Sequence, residues 1–172
     1  NIGKAQSVDT IIKAANILKN DHKFMFHIVG AGSELDNCKK LAEELGTTNV
    51  IFYGNKPLSE MPEMYALADV MLVTLEDKPY ANMTIPGKVQ SYMAAGKPII
   101  GAVNGSCANF IIDNKIGYIC PSEDSDKLAF VINNIKEEEL GKIGVRAKEL
   151  YIEKYNKNTF IDTCVEGGSI TI

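Results

Sequence analysis

Nowhere in the 172 residues does an apolar stretch reach the roughly 18–20 residues needed to span a bilayer. No secretory signal opens the chain. Positive charge is also short: the formal net charge is −4 and no long basic run occurs. A nucleic-acid backbone is thereby excluded as a partner, since nothing is present to neutralise a row of phosphates. Histidine is scarce. His22 and His27 sit on or beside one predicted strand, where two structural histidines are a simpler reading than a two-ligand metal site. The cysteines Cys38, Cys107, Cys120 and Cys164 fall in separate segments and lack C-x-x-C or Cys/His ligand spacing, so no metal is expected. Scattered thiols of this kind read as free cysteines of a reducing cytoplasm. There is no internal repeat and no low-complexity linker.

What is present is enough for one large α/β domain. The chain is 45% hydrophobic, ample for a full core. It opens without methionine on Asn1-Ile2-Gly3, and we expect it to be a piece of something longer. Hydrophobic period alternates along it. Val8, Ile11, Ile12, Ala15 and Leu18 predict an amphipathic helix over about 7–19. Phe24 to Val29 is a strand that stops at Gly30-Ala31-Gly32-Ser33. Leu35, Cys38, Leu41, Ala42 and Leu45 form the next helix, ended by Gly46. Val50 to Tyr53 is a strand, and Met61, Met64, Tyr65 and Ala68 a helical stripe that Ser59 is placed to cap. Val70 to Leu75 is a third strand, followed by a polar loop from Glu76 to Thr84. Pro86 opens a helix to about Ala95, and Pro98 to Val103 is a fourth strand. A helix over about 106–113, a strand at Tyr118 to Cys120, a helix through Ile135 capped from Asp124, Ser125 or Asp126, a helix over 137–154 and a short one near 158–165 complete the pattern.

Strands alternating with helices over short connections predict a parallel sheet covered on both faces, a Rossmann-like doubly wound domain. Ligands of such sheets bind at the carboxyl ends of the strands. A doubly wound unit should also begin with a strand, and none precedes Gly3. Either that strand lies outside this sequence or another segment fills its place. The stretch 169–172 at the end of the 167–172 tail, Ser-Ile-Thr-Ile, is short and strand-like enough to be considered.

Three segments suggest a phosphate-containing ligand. Gly3-Lys4-Ala5-Gln6-Ser7 stands just before a helix, whose start offers free N–H groups and partial positive charge; Lys4 adds charge and Gln6 a neutral donor. A plain turn with a solvated lysine explains it equally well. Gly30-Ala31-Gly32-Ser33-Glu34 resembles half a dinucleotide fingerprint, with Asp36 and Asn37 where a third glycine would stand. The alternative is a tight turn with Ser33 as helix cap. The third segment is Thr84-Ile85-Pro86-Gly87-Lys88, leading into Val89-Gln90-Ser91-Tyr92. Lys88 falls in a first turn, where a cation opposes the helix dipole unless an anion is near.

This last segment, continuing through Met93-Ala94-Ala95-Gly96-Lys97-Pro98-Ile99, resembles the carboxyl-terminal signature of the group 1 glycosyltransferases. These have the GT-B architecture of two facing Rossmann-like domains. The likeness covers most of the chain: Gly3 through Ala15, Ile28 through Glu34, Val50 through Gly54, Met64 through Val70, and the 84–100 segment, in family order. It implies that 1–166 is the nucleotide-sugar-binding half, with the acceptor-binding amino-terminal domain outside this chain. The subgroup with Pro-x-Lys-Val-Gln-Ser-Tyr-Met-Ala-Ala-Gly is most similar. It makes bacterial surface polysaccharides, with donors such as UDP-linked N-acetylfucosamine. Retention of anomeric configuration, no cofactor and no metal are implied.

With such a donor, the helix starts are expected to hold the diphosphate between Gly3 and Gly87. Lys4 and Lys88 would stabilise the departing charge, Thr84 and the backbone of Ile85, Pro86 and Gly87 would hold the sugar or distal phosphate, and the base and ribose would lie near Asn55, Lys56 and Ser91. The chain also departs from the family. Its two glutamates are replaced by Met83 and Ser91, and its diphosphate-binding arginine and lysine fall near Asn1 and Gln6. The isolated piece is expected to be inactive, and the whole enzyme to work in the cytoplasm, at the inner face of the membrane if its acceptor is lipid-linked. Two rivals stand beside this reading. One is a non-catalytic relative that has lost its glutamates. The other is a sugar-nucleotide epimerase, which would need cleft carboxylates and a histidine that this half does not offer.

Overall fold

The computed structural model describes residues 1–155. The helix expected near 158–165 and the 167–172 tail lie outside the described residues. In chain order there follow a 3-10 turn (Lys4–Gln6), α1 (Val8–Ile17), β1 (Phe26–Val29), α2 (Leu35–Leu45), β2 (Val50–Gly54), a 3-10 turn (Leu58–Glu60) and α3 (Met61–Leu67). Then come β3 (Met71–Thr74), α4 (Pro79–Asn82), α5 (Gly87–Ala94), β4 (Ile99–Ala102), α6 (Gly105–Asp113), β5 (Gly117–Cys120), α7 (Ser125–Asn133) and α8 (Glu137–Tyr155). No helix among these residues is long and apolar enough to cross a membrane.

All strand pairings are parallel, but the strands form two groups, β1-β2 and β3-β4-β5. Helices cover both faces. On one face α1 packs on α2 and α7, and Ala14, Ala15, Phe26, Ile100, Leu128 and Ile132 form a core. On the other, α5 packs on α8, and Val73, Val89, Met93, Ile99, Ile111 and Leu150 form a second core. A third cluster, with Ile2, Val8, Ile12, Ile28 and Cys38, joins α1 and α2 to β1. β4 is buried along its whole length and reads as an apolar run, whereas burial alternates along β1 and β2.

Local signals account for most boundaries. Gly46 ends α2 in the left-handed conformation at φ 61°, where a side chain would be strained. Asp124 caps α7 by accepting a bond from the Lys127 N–H at 2.8 Å. Four expectations need correction. Ser59 caps nothing: it lies inside a 3-10 turn, and α3 starts from Glu60 without a side-chain cap. Ser33 is likewise no cap: α2 begins at Leu35 and its N-cap is Glu34, without a side-chain bond. The loop from Glu76 to Thr84 contains α4, too short to show any periodic stripe. Gly3 opens a three-residue 3-10 turn, and α1 begins only at Val8, after Ser7 with φ 44°. Cys38, Cys107 and Cys120 are free and buried.

Candidate functional site

The carboxyl ends of the strands gather three loops and tie them together. Residues 2–6 lie across this edge. The Ile2 N–H donates to Ala31 O just beyond β1 (2.9 Å), and Ala5 O accepts from the Glu76 N–H just beyond β3 (3.1 Å). The Thr74 hydroxyl donates to Gln6 O. Glu123, from the loop after β5, accepts from the Asp77 N–H at 3.0 Å and the Ser7 hydroxyl at 3.4 Å. Gly3 lies in the loop just described, and Gly87 opens α5, the second helix between β3 and β4.

Beside this edge a cavity of about 530 Å³ opens, and Gly30, Asn55, Lys56, Lys88 and Tyr92 line it together with Asn1. Lys88 is its distinctive group. It sits in the first turn of α5, whose N-cap is Pro86 and which has no side-chain cap. The N–H groups of Gly87 and Lys88 are thus among the orphan donors of a helix start. The Lys88 ammonium forms no ion pair among the described residues, and burial holds its pKa below the ordinary 10.5. Cys107, at the start of α6, is within electrostatic reach but gives no relief. Burial pushes its thiol up to about 11, so at neutral pH it is uncharged. A desolvated cation beside uncapped N–H groups is unfavourable by itself and well suited to a diphosphate.

The remaining predicted residues divide. Lys56 lines the cavity but pairs with Glu60 at 3.1 Å, which shares its charge. Gly30 has φ 141°, a conformation that favours glycine. Gly32 is required by contact: a Cβ there would stand 2.3 Å from Ile2 O. The Gln6 side-chain oxygen accepts the Gly3 N–H at 3.0 Å, which holds this side chain against the loop. Lys4 is exposed and is not among the cavity's lining residues. Thr84 and Ile85 are exposed, and the Thr84 hydroxyl donates to Ala81 O at 3.0 Å. Gly87 has open space around its Cα, with nothing within 4 Å of a built Cβ. Ser91 is exposed and lies outside the lining. The sequence reading missed Glu76, a carboxylate only 6% exposed that accepts from the Tyr80 hydroxyl. Its one signal was its place directly after an apolar strand.

The family model for glycosyl transferases group 1 matches residues 1–158. A probable glycosyltransferase of Pseudomonas aeruginosa, WbjE, is 33% identical over 91% of this chain and 39% of its own length. The poly(ribitol-phosphate) alpha-N-acetylglucosaminyltransferase of Staphylococcus aureus is 26% identical over 90% of this chain and 31% of its own length. The chain thus spans less than half of these relatives. The crystal structure of Anabaena HepE with UDP and glucose superposes with a TM-score of 0.79 at 19% identity, over 96% of this chain and 45% of that one. At that identity the likeness shows the fold.

Proposed function

This chain belongs to the group 1 glycosyl transferases, and on that premise we propose that it is the donor-binding half of an enzyme of bacterial surface-polysaccharide synthesis. The donor is a nucleotide-diphosphate sugar, UDP-linked, carrying an N-acetylated deoxyhexosamine of the N-acetylfucosamine type. The acceptor is a saccharide or lipid-linked saccharide, held by an amino-terminal domain that this chain does not include. With a lipid-linked acceptor the whole enzyme works at the inner face of the membrane. Membership of the family and the saccharide-transferring relatives support this reading.

The observation that carries it is the desolvated Lys88 ammonium at the uncapped start of α5. In the proposed complex the diphosphate takes the N–H groups of Gly87 and Lys88 and the Lys88 charge. As the sugar–phosphate bond breaks, negative charge grows on the leaving oxygen, and these fixed donors stabilise it without rearranging. Gly30, Gly32 and the loop at 3–6 form the facing wall, with Lys4 an outer charge. Asn55 and Lys56 flank the base and ribose. Thr84, Ile85 and Pro86 meet the sugar. Retention of configuration belongs to the same reading.

The test compares this chain with the whole protein. The 172 residues should bind UDP in calorimetry and give no transfer. The whole protein should move labelled sugar from a UDP-sugar to a lipid-linked acceptor. Absence of UDP binding by both would refute the donor site. Binding without transfer by the whole protein would favour the non-catalytic relative, for which the exposed Met83 and Ser91 are the motive. Turnover by the isolated chain would overturn the division of labour.

A further inference from the structure

We infer that Glu123 is a positioning residue of the donor site: its carboxylate clasps the loop after β3, which leads to Gly87 and Lys88, to the loop at 3–7. The clasp itself is a matter of observed hydrogen bonds; that it serves UDP rests on the donor reading above.

The backbone marks the residue first. Pro121 to Asp124 form a turn closed by the Asp124 N–H, which donates to Pro121 O at 3.4 Å. Glu123 is the third residue of that turn and has φ 60°. At that position and sign of φ a type II turn takes glycine, because a side chain crowds its own backbone there. Asparagine, which tolerates the conformation, is the next choice. Nothing local favours a glutamate. Across the edge of the sheet Ser7, only 6% exposed, has φ 44°. Two of the three non-glycine residues with positive φ among the described residues thus meet through their side chains. Such conformations persist only where the surroundings over-determine them, and they gather at functional sites.

The side chain supplies what the backbone lacks. One carboxylate oxygen of Glu123 accepts the Asp77 N–H at 3.0 Å, and the other accepts the Ser7 hydroxyl at 3.4 Å. The two oxygens therefore serve two different loops. The main-chain bond from the Glu76 N–H to Ala5 O joins the same loops at 3.1 Å. Glu123 carries that join onward to Ser7 and Asp77 and adds the loop after β5 to it. Asp77 is held through its own carboxylate as well. Asn82 Nδ2 donates to it at 2.9 Å. Hydrogen bonds from Asn82 and then Asn104 hold its pKa below the ordinary 3.8. Asn104 Oδ1 in turn accepts the Ser122 N–H at 3.3 Å, which fixes the turn that carries Glu123. From Asp77 the chain runs through α4 to Pro86, where α5 opens.

A loop that samples several positions binds with an affinity reduced by the fraction of time it spends in the competent one. A clasp that holds both loops before the ligand arrives removes part of that loss. Substitutions at 123 then separate backbone from side chain. Glu123→Gly relieves the left-handed backbone and frees the loops. Glu123→Asn keeps a residue that tolerates the backbone, but its side chain is too short to span both partners. Glu123→Gln keeps an oxygen for the Asp77 N–H and offers an N–H to the Ser7 hydroxyl oxygen. It also removes a negative charge that binding of a diphosphate does not need.

The three variants of the 172-residue chain test this by calorimetry with UDP, thermal denaturation and amide hydrogen exchange at Asp77. Glu123→Gly and Glu123→Asn should bind UDP about 3- to 10-fold more weakly than the parent, with Tm unchanged or higher and a faster-exchanging Asp77 amide. Glu123→Gln should restore both the affinity and the protection. Parental affinity in Glu123→Gly and Glu123→Asn overturns the inference. So does a Tm that falls in step with affinity, which makes Glu123 a residue of the fold alone, and so does a Glu123→Gln that binds no better than Glu123→Gly. No UDP binding by the parent refutes the donor reading instead. The clasp is then judged at the Asp77 amide, whose exchange Glu123→Gly must speed and Glu123→Gln must restore.

Discussion

Replacing Lys88 by methionine is expected to weaken UDP binding about 10- to 100-fold while leaving Tm unchanged or higher. The two halves of this result have one cause. Without a ligand the ammonium is desolvated, unpaired, and placed against the positive end of α5. Methionine keeps most of the stem and removes the charge, so the empty fold loses nothing electrostatic. With the diphosphate bound, a charge-assisted contact of about 1.5–3 kcal/mol is lost, which is the stated range in affinity. A surface lysine would show neither effect. The pH dependence has a definite sign. Burial lowers the Lys88 pKa in the folded, empty protein, so carrying the proton costs stability below that pKa. The cost fades as pH rises toward the unfolded value of 10.5. A bound diphosphate favours the protonated form. Binding should therefore take up protons at alkaline pH, and affinity should fall as pH rises through the lowered pKa. Calorimetry in buffers of different ionisation enthalpy reads the proton uptake, which Lys88→Met should abolish. Unchanged affinity in the variant would remove Lys88 from the site.

Two glycines of the candidate site should behave in opposite ways. Gly32→Ala puts a methyl 2.3 Å from the Ile2 carbonyl oxygen, a backbone atom held by the Glu34 N–H at 3.0 Å. The loop at 1–6 must then lift from the start of α2. We expect a loss of about 2–4 kcal/mol, seen as a lower Tm, with UDP affinity falling too as the facing wall is displaced. Gly87→Ala meets nothing within 4 Å. It should fold as well as the parent, yet bind UDP more weakly, because the methyl stands where the phosphate must approach the N–H groups of α5. Thermal denaturation and calorimetry on the same pair separate the two. Equal melting for Gly32→Ala, or equal affinity for Gly87→Ala, would contradict the assignment of that glycine.

Much of the fold was legible because the period of the hydrophobic residues is set by which face is buried. α2 is bounded by Leu35 and Leu45 in both readings, and Gly46 marks its end. Features without a period escaped. α4 has four residues, and the 3-10 turns at Lys4–Gln6 and Leu58–Glu60 have three each. Serines were assigned to caps on composition alone, and at Ser33 and Ser59 the backbone turn itself begins the helix. Lys88 stands out in the sequence because a cation in a first turn is electrostatically out of place. The bond from the Gly3 N–H to the Gln6 side-chain oxygen was not legible, because a local turn defines it. The bridging of Ser7 and Asp77 by Glu123 joins segments far apart in sequence, and no local pattern announces it.

The most direct measurement is a titration of the isotope-labelled 172-residue chain with UDP, followed through its backbone amide resonances. Gly87 and Lys88 should shift most, with smaller shifts at Gly30, Gly32 and Asn55. Largest shifts at the surface formed by Ile17, Asn20 and His22, with Gly87 and Lys88 unmoved at saturation, would contradict the account.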